Sequence, residues 1–258
     1  MWHRGIRPGS CCTANRRRRG LGSDHASPRS HSRRAVSEHA APTRRYDYVT
    51  DGQEIYRRSF AMIRAESDLS SLPSDLHTVA TRIIHASGDV DITSQIAAHD
   101  DIVRAARSAL TSGAPIITDS QMLASGVTRR RLPADNEVIC TLRDERVPDL
   151  AATWDTTRAA AAVSLWGDRL EGAVVAIGNA PTALFHLLEV ILDGGPRPAA
   201  IVGLPVGFVG SAESKAALAE HVLEDGSQVP WLVVHGRRGG SAMAAAALNA
   251  LATEDELA

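Results

Sequence analysis

The chain has 258 residues, with 28 Lys and Arg against 30 Asp and Glu, 3 Cys and a net charge of −2. A near-neutral total argues against a dedicated nucleic-acid binder, whose folded part is usually basic. No run approaches the roughly 18 consecutive apolar residues that a membrane span needs.

The charge is unevenly spread: residues 1–45 hold 11 Arg against two acids (Asp24, Glu38), a balance of +9, and residues 46–258 hold 17 bases against 28 acids, a balance of −11. The first segment carries Arg16 to Arg19 with no apolar stretch behind it, so a secretory signal is not expected. Its few apolar residues predict a basic, disordered N-terminal extension over 1–45. With no Met between Met1 and Met62, a start further in, for example at Val36, is compatible with the sequence. Cys11 and Cys12 lie in this segment, Cys140 is expected inside a strand, and no metal or CxxC spacing occurs. These features point to a reduced, cytoplasmic protein.

From Tyr46 onward helical and strand-like signals alternate. Gln53 to Ser67 sets Ile55, Ser59, Met62 and Ile63 at helical spacing. Pro73-Ser74 opens a second helix with Ser74 as its expected N-cap and Gly88 as its stop. Asp101 to Leu110 is a third, ended by Gly113. Short apolar runs follow at 115–118, 138–142, 173–177, 199–202 and 231–234. Helical segments at 182–192, 212–223 and 242–251 come after the last three. Strands alternating with helices predict an α/β fold: one three-layer domain over 46–258, with a mostly parallel sheet of about five strands covered by helices.

In such sheets ligands bind beyond the carboxyl ends of the strands. Here those ends are Gly178-Asn179-Ala180-Pro181-Thr182, then Gly203 to Ser211, then His235-Gly236-Arg237-Arg238-Gly239-Gly240-Ser241. Glycines let backbone N–H groups approach a ligand, and helix N-termini favour anions. The three loops together suggest a ligand with several negative groups, although each alone also reads as ordinary turn chemistry. None matches a Walker or dinucleotide fingerprint.

On the helix 74–86, Leu76, Val79, Ala80, Ile83 and Ile84 cluster within about 140° at 100° per residue. His85 lies opposite, with Thr78, Thr81 and Arg82, in the last turn. The helix dipole, Asp89 and Asp91 would favour its cationic form. By pattern alone His85 is either a proton donor or a solvated C-terminal histidine. His85, Asp89 and Asp91 fit no familiar metal spacing, and no GxSxG elbow marks a nucleophile. Acid–base chemistry without a metal is the remaining reading.

These segments resemble the precorrin-8X methylmutase family of the cobalamin (corrin) pathway. The resemblance rests on Tyr46-Asp47-Tyr48, Ile55-Tyr56, Arg58-Ser59-Phe60, Ile63 to Glu66, Ile84-His85-Ala86, Gly113 to Ile116, Gly126-Val127-Thr128-Arg129 and Leu132-Pro133. It continues through Asn136 to Cys140, Thr157-Arg158, Val174 to Leu184, Gly203 to Lys215 and Gly239 to Met243. It covers about Tyr46 to Leu251; residues 221–229 look longer than the family's surface connection there.

What the resemblance implies is an isomerase that moves a methyl group from C-11 to C-12 of a ring-contracted tetrapyrrole, giving hydrogenobyrinic acid or its cobalt counterpart. It implies no separate cofactor and no metal, with His85 as proton donor. Its substrate-binding residues would be Tyr56, Arg58, Ser59, Thr128, Arg129, Arg158, Gly178, Asn179, Thr182, Gly207, Gly240 and Ser241. Arg58, Arg129 and Arg158 would be the carboxylate partners. It further implies a homodimer with active sites at the subunit interface, and neighbouring corrin-pathway enzymes as partners. The alternatives are a non-catalytic tetrapyrrole carrier and a generic nucleotide-binding α/β protein.

Overall fold

The computed structural model describes residues 41–253. The expectations for residues 1–40, including Arg16 to Arg19, Cys11, Cys12 and a start near Val36, lie outside the described residues. The chain divides into two units, the first ending at Tyr48 and the second beginning at Val49. In the first, the Arg44 guanidinium donates to the carbonyls of Tyr46 and Tyr48 and stands 4.7 Å from the Tyr48 ring.

The second unit opens with α1 (Gly52–Glu66), started by Asp51, whose carboxylate accepts the N–H of Gln53 at 2.9 Å. α2 (His77–Ser87) is entered through a 3-10 turn, Ser74–Leu76. Ser74 therefore makes no side-chain cap, contrary to expectation, because Pro73 leads into this tighter turn rather than directly into the helix. Gly88 ends α2 as expected, in the left-handed conformation at φ 68° that costs a glycine little. A second 3-10 turn, Val90–Gln95, leads into β1 (Ile96–Ala98).

α3 (Ile102–Thr111) buries Ile102, Val103, Ala106 and Leu110 on one face. Then come β2 (Ile116–Thr118), α4 (Gln121–Gly126), β3 (Val138–Ile139), α5 (Val147–Thr153), α6 (Arg158–Val163), β4 (Val174–Ile177), α7 (Pro181–Leu192), β5 (Ala200–Gly203), α8 (Ser211–Glu220), β6 (Trp231–Val234) and α9 (Ser241–Leu251). Pro181 occupies the first turn of α7, where its missing N–H costs nothing.

Among the described residues the sheet has six strands in the order β1-β6-β5-β4-β2-β3, parallel except for β1, which runs antiparallel to β6 with Ile96 opposite Val234. The edge strand β1 is the element beyond the five read from sequence. Its Ile-Ala-Ala has no alternation and no β-branched run, and pairing with β6 is what makes it a strand.

Alternate residues along each strand serve opposite layers. Val174, Ala176, Ala200, Val202, Leu232 and Val234 pack under α1, α2, α3, α4 and α9. Val175, Ile177, Ile201, Trp231 and Val233 pack under α7, α8 and the end of α6. Both faces are covered, which is why the central strands are continuously apolar. A satellite cluster of Val147, Ala151, Ala161 and Ala162 joins α5 to α6.

Two sequence readings change. Cys140 is half-buried just beyond β3, not inside a strand. Residues 221–229 are not merely a surface excursion, because His221, Leu223 and Val229 are buried. Among the described residues no helix is long and apolar enough to cross a membrane.

Candidate active site

α1 crosses α2 so that Tyr56, Ser59 and Phe60 meet the last turn of α2. Ser59 Oγ lies 2.9 Å from Nδ1 of His85. The Phe60 ring stands edge-on to the imidazole at 5.1 Å, and the Tyr56 ring is tilted against it at 5.5 Å. The contact to Ser59 fixes the ring and leaves Nε2 as the nitrogen available to a ligand.

The surface that sequence periodicity left polar is in fact covered: Thr81 and Arg82 are buried and His85 is half-buried. α9 packs along α2 through a run of alanines, and the Arg82 guanidinium sits 4.8 Å from the Phe60 ring. Burial, and then the positive charge of Arg82, hold His85 below the usual histidine range. These two effects oppose the stabilisation of a cation expected from the helix dipole. Asp89 is turned away, pairing with Arg238 at 2.9 Å, and also accepts the N–H of Asp91 at 3.0 Å.

His85 opens on a cavity of about 310 Å³ with Tyr56, Arg82, Thr128, Arg130 and Arg131 around it and Ala242, Ala245 and Asn249 of α9 as its floor. The wall after α4 is held by Asn249, whose amide accepts the N–H of Thr128 at 2.8 Å and donates to the Gly126 carbonyl at 2.9 Å. Gly126 is needed there because a Cβ would lie 2.7 Å from that of Ala245. A second cavity, about 490 Å³, shares Ala242 with the first and includes Ala86, the residue after His85. Its wall carries Val206, Gly207, Phe208, Arg237 and Arg238, with Met243 and Ile92 as apolar floor. His85 thus opens on one of two arginine-walled cavities that share Ala242.

The strand-end loops behave differently from the sequence reading. β2 and β4 are neighbours whose following helices pack on opposite faces, which makes their carboxyl ends the switch-point crevice of the sheet. That crevice is filled from within. Asp119, only 4 % exposed, accepts the N–H groups of Gly178 (3.0 Å), Asn179 (2.9 Å) and Ala180 (2.8 Å). Burial pushes the Asp119 carboxyl upward while the three amides pull the other way. The expected anion site at the start of α7 is therefore occupied by the protein's own carboxylate. Gly178 is there for packing, since a Cβ would lie 2.8 Å from Leu123 Cδ1 and 2.9 Å from Ser241 Cα. The other two loops bond to each other: Gly240 N–H donates to Leu204 O at 2.8 Å and Gly207 N–H to Arg237 O at 3.3 Å.

The remaining expected residues are dispersed. Tyr56, Ser59 and Thr128 join His85, and Gly207 and the neighbour of Gly240 join the second cavity. The Ser241 hydroxyl is 3.1 Å from that of buried Ser120. Thr182 lies 2.8 Å from Thr157 across the start of α6, beside exposed Arg158, and Asn179 is exposed at the end of β4. Arg58 bonds Glu54 at 2.7 Å on the outer side of α1, and Arg129 donates to Asn136 O at 3.2 Å on the wall of a third cavity. Neither of these two reaches the His85 cavity in this chain, and Arg82, Arg130 and Arg131 stand there instead. The run Arg129-Arg130-Arg131 was visible in the sequence; which members face His85 depends on a 3-10 turn at Arg129–Arg131.

The family profile described as precorrin-8X methylmutase matches residues 54–254. A precorrin-8X methylmutase from Sinorhizobium is 60% identical over 207 residues, 80% of this chain and 97% of that protein. One from Pseudomonas aeruginosa is 56% identical over 81% of this chain and 99% of its own length. A cobalt-precorrin-8 methylmutase from Priestia megaterium is 35% identical over 77% and 86%. The crystal structure of a Thermus thermophilus precorrin-8X methylmutase, 38% identical, superimposes with a TM-score of 0.69, covering 78% of this chain and 94% of that one. The chain belongs to the precorrin-8X methylmutase family and is an isomerase of cobalamin biosynthesis.

Proposed function

We propose that the chain converts precorrin-8X to hydrogenobyrinic acid by moving the methyl group on C-11 to C-12, with His85 as proton donor. The carrying observation is the anchored imidazole in an arginine-walled cavity that shares Ala242 with a second one. The two cavities share Ala242, so a macrocycle laid across it passes over the His85 side of the pair. Arg82, Arg130 and Arg131 on one side and Arg237 and Arg238 on the other then meet the peripheral carboxylates. Arg58, Arg129, Arg158, Asn179 and Thr182 line neither cavity of this chain, and the contacts they make with substrate are across the subunit interface.

Substrate and product are isomers, so the step needs no oxidant or reductant. Nε2 of His85 delivers a proton to the macrocycle, the C-11 methyl bond breaks as the C-12 bond forms, and the proton returns. General acid assistance of this kind contributes about 10²–10⁴-fold. The metal-free substrate is favoured because the two relatives above 50% identity carry that name and the cobalt-named one is at 35%.

Two copies associate, with active sites at the subunit interface. Phe208 and Val209, 83 % and 90 % exposed on the loop that walls the second cavity, are the surface such an interface would cover. The enzyme acts in the cytoplasm, and residues 1–45 lie outside the catalytic unit. The test is His85→Ala: it folds, binds hydrogenobyrinic acid with the wild-type spectral change, and turns over precorrin-8X at least about 10²-fold more slowly. Turnover within a few fold of wild type would remove His85 from the chemistry. Unaltered binding with no wild-type turnover would instead favour a tetrapyrrole carrier.

A further inference from the structure

The chain contains one lysine, Lys215, against 27 arginines (28 Lys and Arg in all, less that one). Every other basic side chain of this class is a guanidinium, and the single ammonium is fully buried. Lysine is among the residues least often buried completely. A methionine of similar length would fill the same space without the cost of desolvating a charge. Burial draws the Lys215 ammonium down to about 8, so the site strains against the charge it keeps.

What the ammonium does is visible in its contacts. Lys215 Nζ donates to Pro205 O at 3.2 Å and to Arg238 O at 2.7 Å. One helical turn earlier on α8, the Ser211 hydroxyl donates to Pro205 O at 3.0 Å and reaches Gly236 O at 3.5 Å. Both side chains therefore tie the loop after β5 to the loop after β6 by carbonyls from each. Those loops are the walls of the second cavity: Val206, Gly207 and Phe208 follow Pro205, and Arg237, Arg238 and Gly239 belong to the other. They approach so closely that a Cβ on Gly239 would lie 2.4 Å from Pro205 O and 2.5 Å from Leu204 O.

We propose that Lys215 and Ser211 are positioning residues for corrinoid binding, a two-point clamp on α8 that sets the Val206–Phe208 wall against the Arg237–Arg238 wall. The proposal rests on the methylmutase reading of the site. An ammonium suits the task where a guanidinium does not. It is compact, and its three donors can take carbonyls from two directions in a space closed to a planar fork. Neither side chain touches the ligand. They act by holding the Arg238 guanidinium, which reaches Asp89 at 2.9 Å, and the Gly207 backbone in place before substrate arrives, so less ordering is left to be done on binding.

The experiment is steady-state turnover of precorrin-8X by Lys215→Met and by Ser211→Ala, with titration of hydrogenobyrinic acid into each. Both variants are expected to raise KM and weaken product binding, Lys215→Met about tenfold, the equivalent of one charge-assisted hydrogen bond, and Ser211→Ala about fivefold, that of a neutral one. Their kcat at saturation should stay within about twofold of wild type. A merely structural role predicts the opposite pattern: less active protein, hence a lower apparent kcat, with KM unchanged. That pattern, or unchanged kinetics in both variants, overturns the clamp.

If Lys215→Met fails to fold, Ser211→Ala, which removes one oxygen, decides alone. With a single lysine in the chain, 15N-lysine labelling gives one side-chain resonance, and that signal is expected to shift when product is added to the wild-type enzyme. A resonance indifferent to saturating product also counts against the clamp. Wild-type enzyme that neither turns over precorrin-8X nor binds product would sink the methylmutase reading instead, so the two failures are distinguishable.

Discussion

Ser59 and His85 are joined across two helices, Oγ of one 2.9 Å from Nδ1 of the other. The hydroxyl holds one ring nitrogen and directs the other to the cavity, the arrangement by which a neighbour fixes an imidazole's tautomer and aim. Ser59→Ala is expected to lower kcat about fivefold, the effect of one net hydrogen bond of about 1 kcal/mol, with little change in fold or in KM. A rapid-quench measurement of single turnovers separates this effect from product release.

The direction of the His85 shift sets the pH dependence of the reaction. Burial and the Arg82 charge place the free-enzyme imidazole below 6.5. A catalytic proton donor must start protonated, so kcat/KM, which reports the free enzyme, should fall as pH rises through a midpoint below 6.5. A bound polycarboxylate adds negative charge near the ring and raises its pKa. The corresponding midpoint in kcat should therefore lie at higher pH than that in kcat/KM. Coincident midpoints, or a rise of kcat/KM with pH, would contradict the assignment.

Asp119 is the internal anion of the sheet, and removing it leaves three amides without an acceptor at the start of α7. Asp119→Ala should cost about 3 kcal/mol, since each buried donor left unpaired carries a penalty of about 1–3 kcal/mol, offset in part by entering water. Gly178→Ala should cost about 1–3 kcal/mol by overpacking, because its new methyl would press on Leu123 and the backbone of Ser241. Urea midpoints for the two variants check both figures. Wild-type stability in Asp119→Ala would mean that the turn is held by packing alone.

The central sheet was legible in the sequence because both of its faces are covered. Val174–Ile177, Ala200–Gly203 and Trp231–Val234 have no solvent side, so they stand out as apolar runs between turns. β1 was not legible, since its strand character comes from β6 rather than from Ile96-Ala97-Ala98. His85 could be found from its place at a helix end, but its charge state could not. Periodicity showed Thr81 and Arg82 opposite the apolar stripe of α2 and said nothing of α9, which covers them. In the sequence the three glycine-rich loops together suggest an anionic ligand, because glycines let backbone N–H groups approach one. Only the fold reveals that Asp119, 59 residues upstream of Gly178, has claimed the first set.

A last prediction concerns stability and pH. His221 is buried at the end of α8, its Nδ1 2.6 Å from Leu218 O and its Nε2 3.0 Å from the N–H of Val229. The carbonyl needs a proton on Nδ1 and the amide needs a lone pair on Nε2, so the native ring is neutral. Burial holds its pKa below 6.5, against a smaller upward pull from Leu218 O. The unfolded chain, titrating near 6.5, therefore binds a proton more readily than the folded one. This contribution is fully present above 6.5 and is lost as pH falls from there toward the lowered native value. The unfolding free energy should decline between pH 7.5 and 5.5, and the decline should be shallower in His221→Gln, which cannot titrate. His85 shifts the same way, so the slope in that variant should shrink without vanishing. Equal slopes in the two proteins would mean that His221 takes up its proton as readily in the native state as in the unfolded chain, against the reading of its bond from Val229.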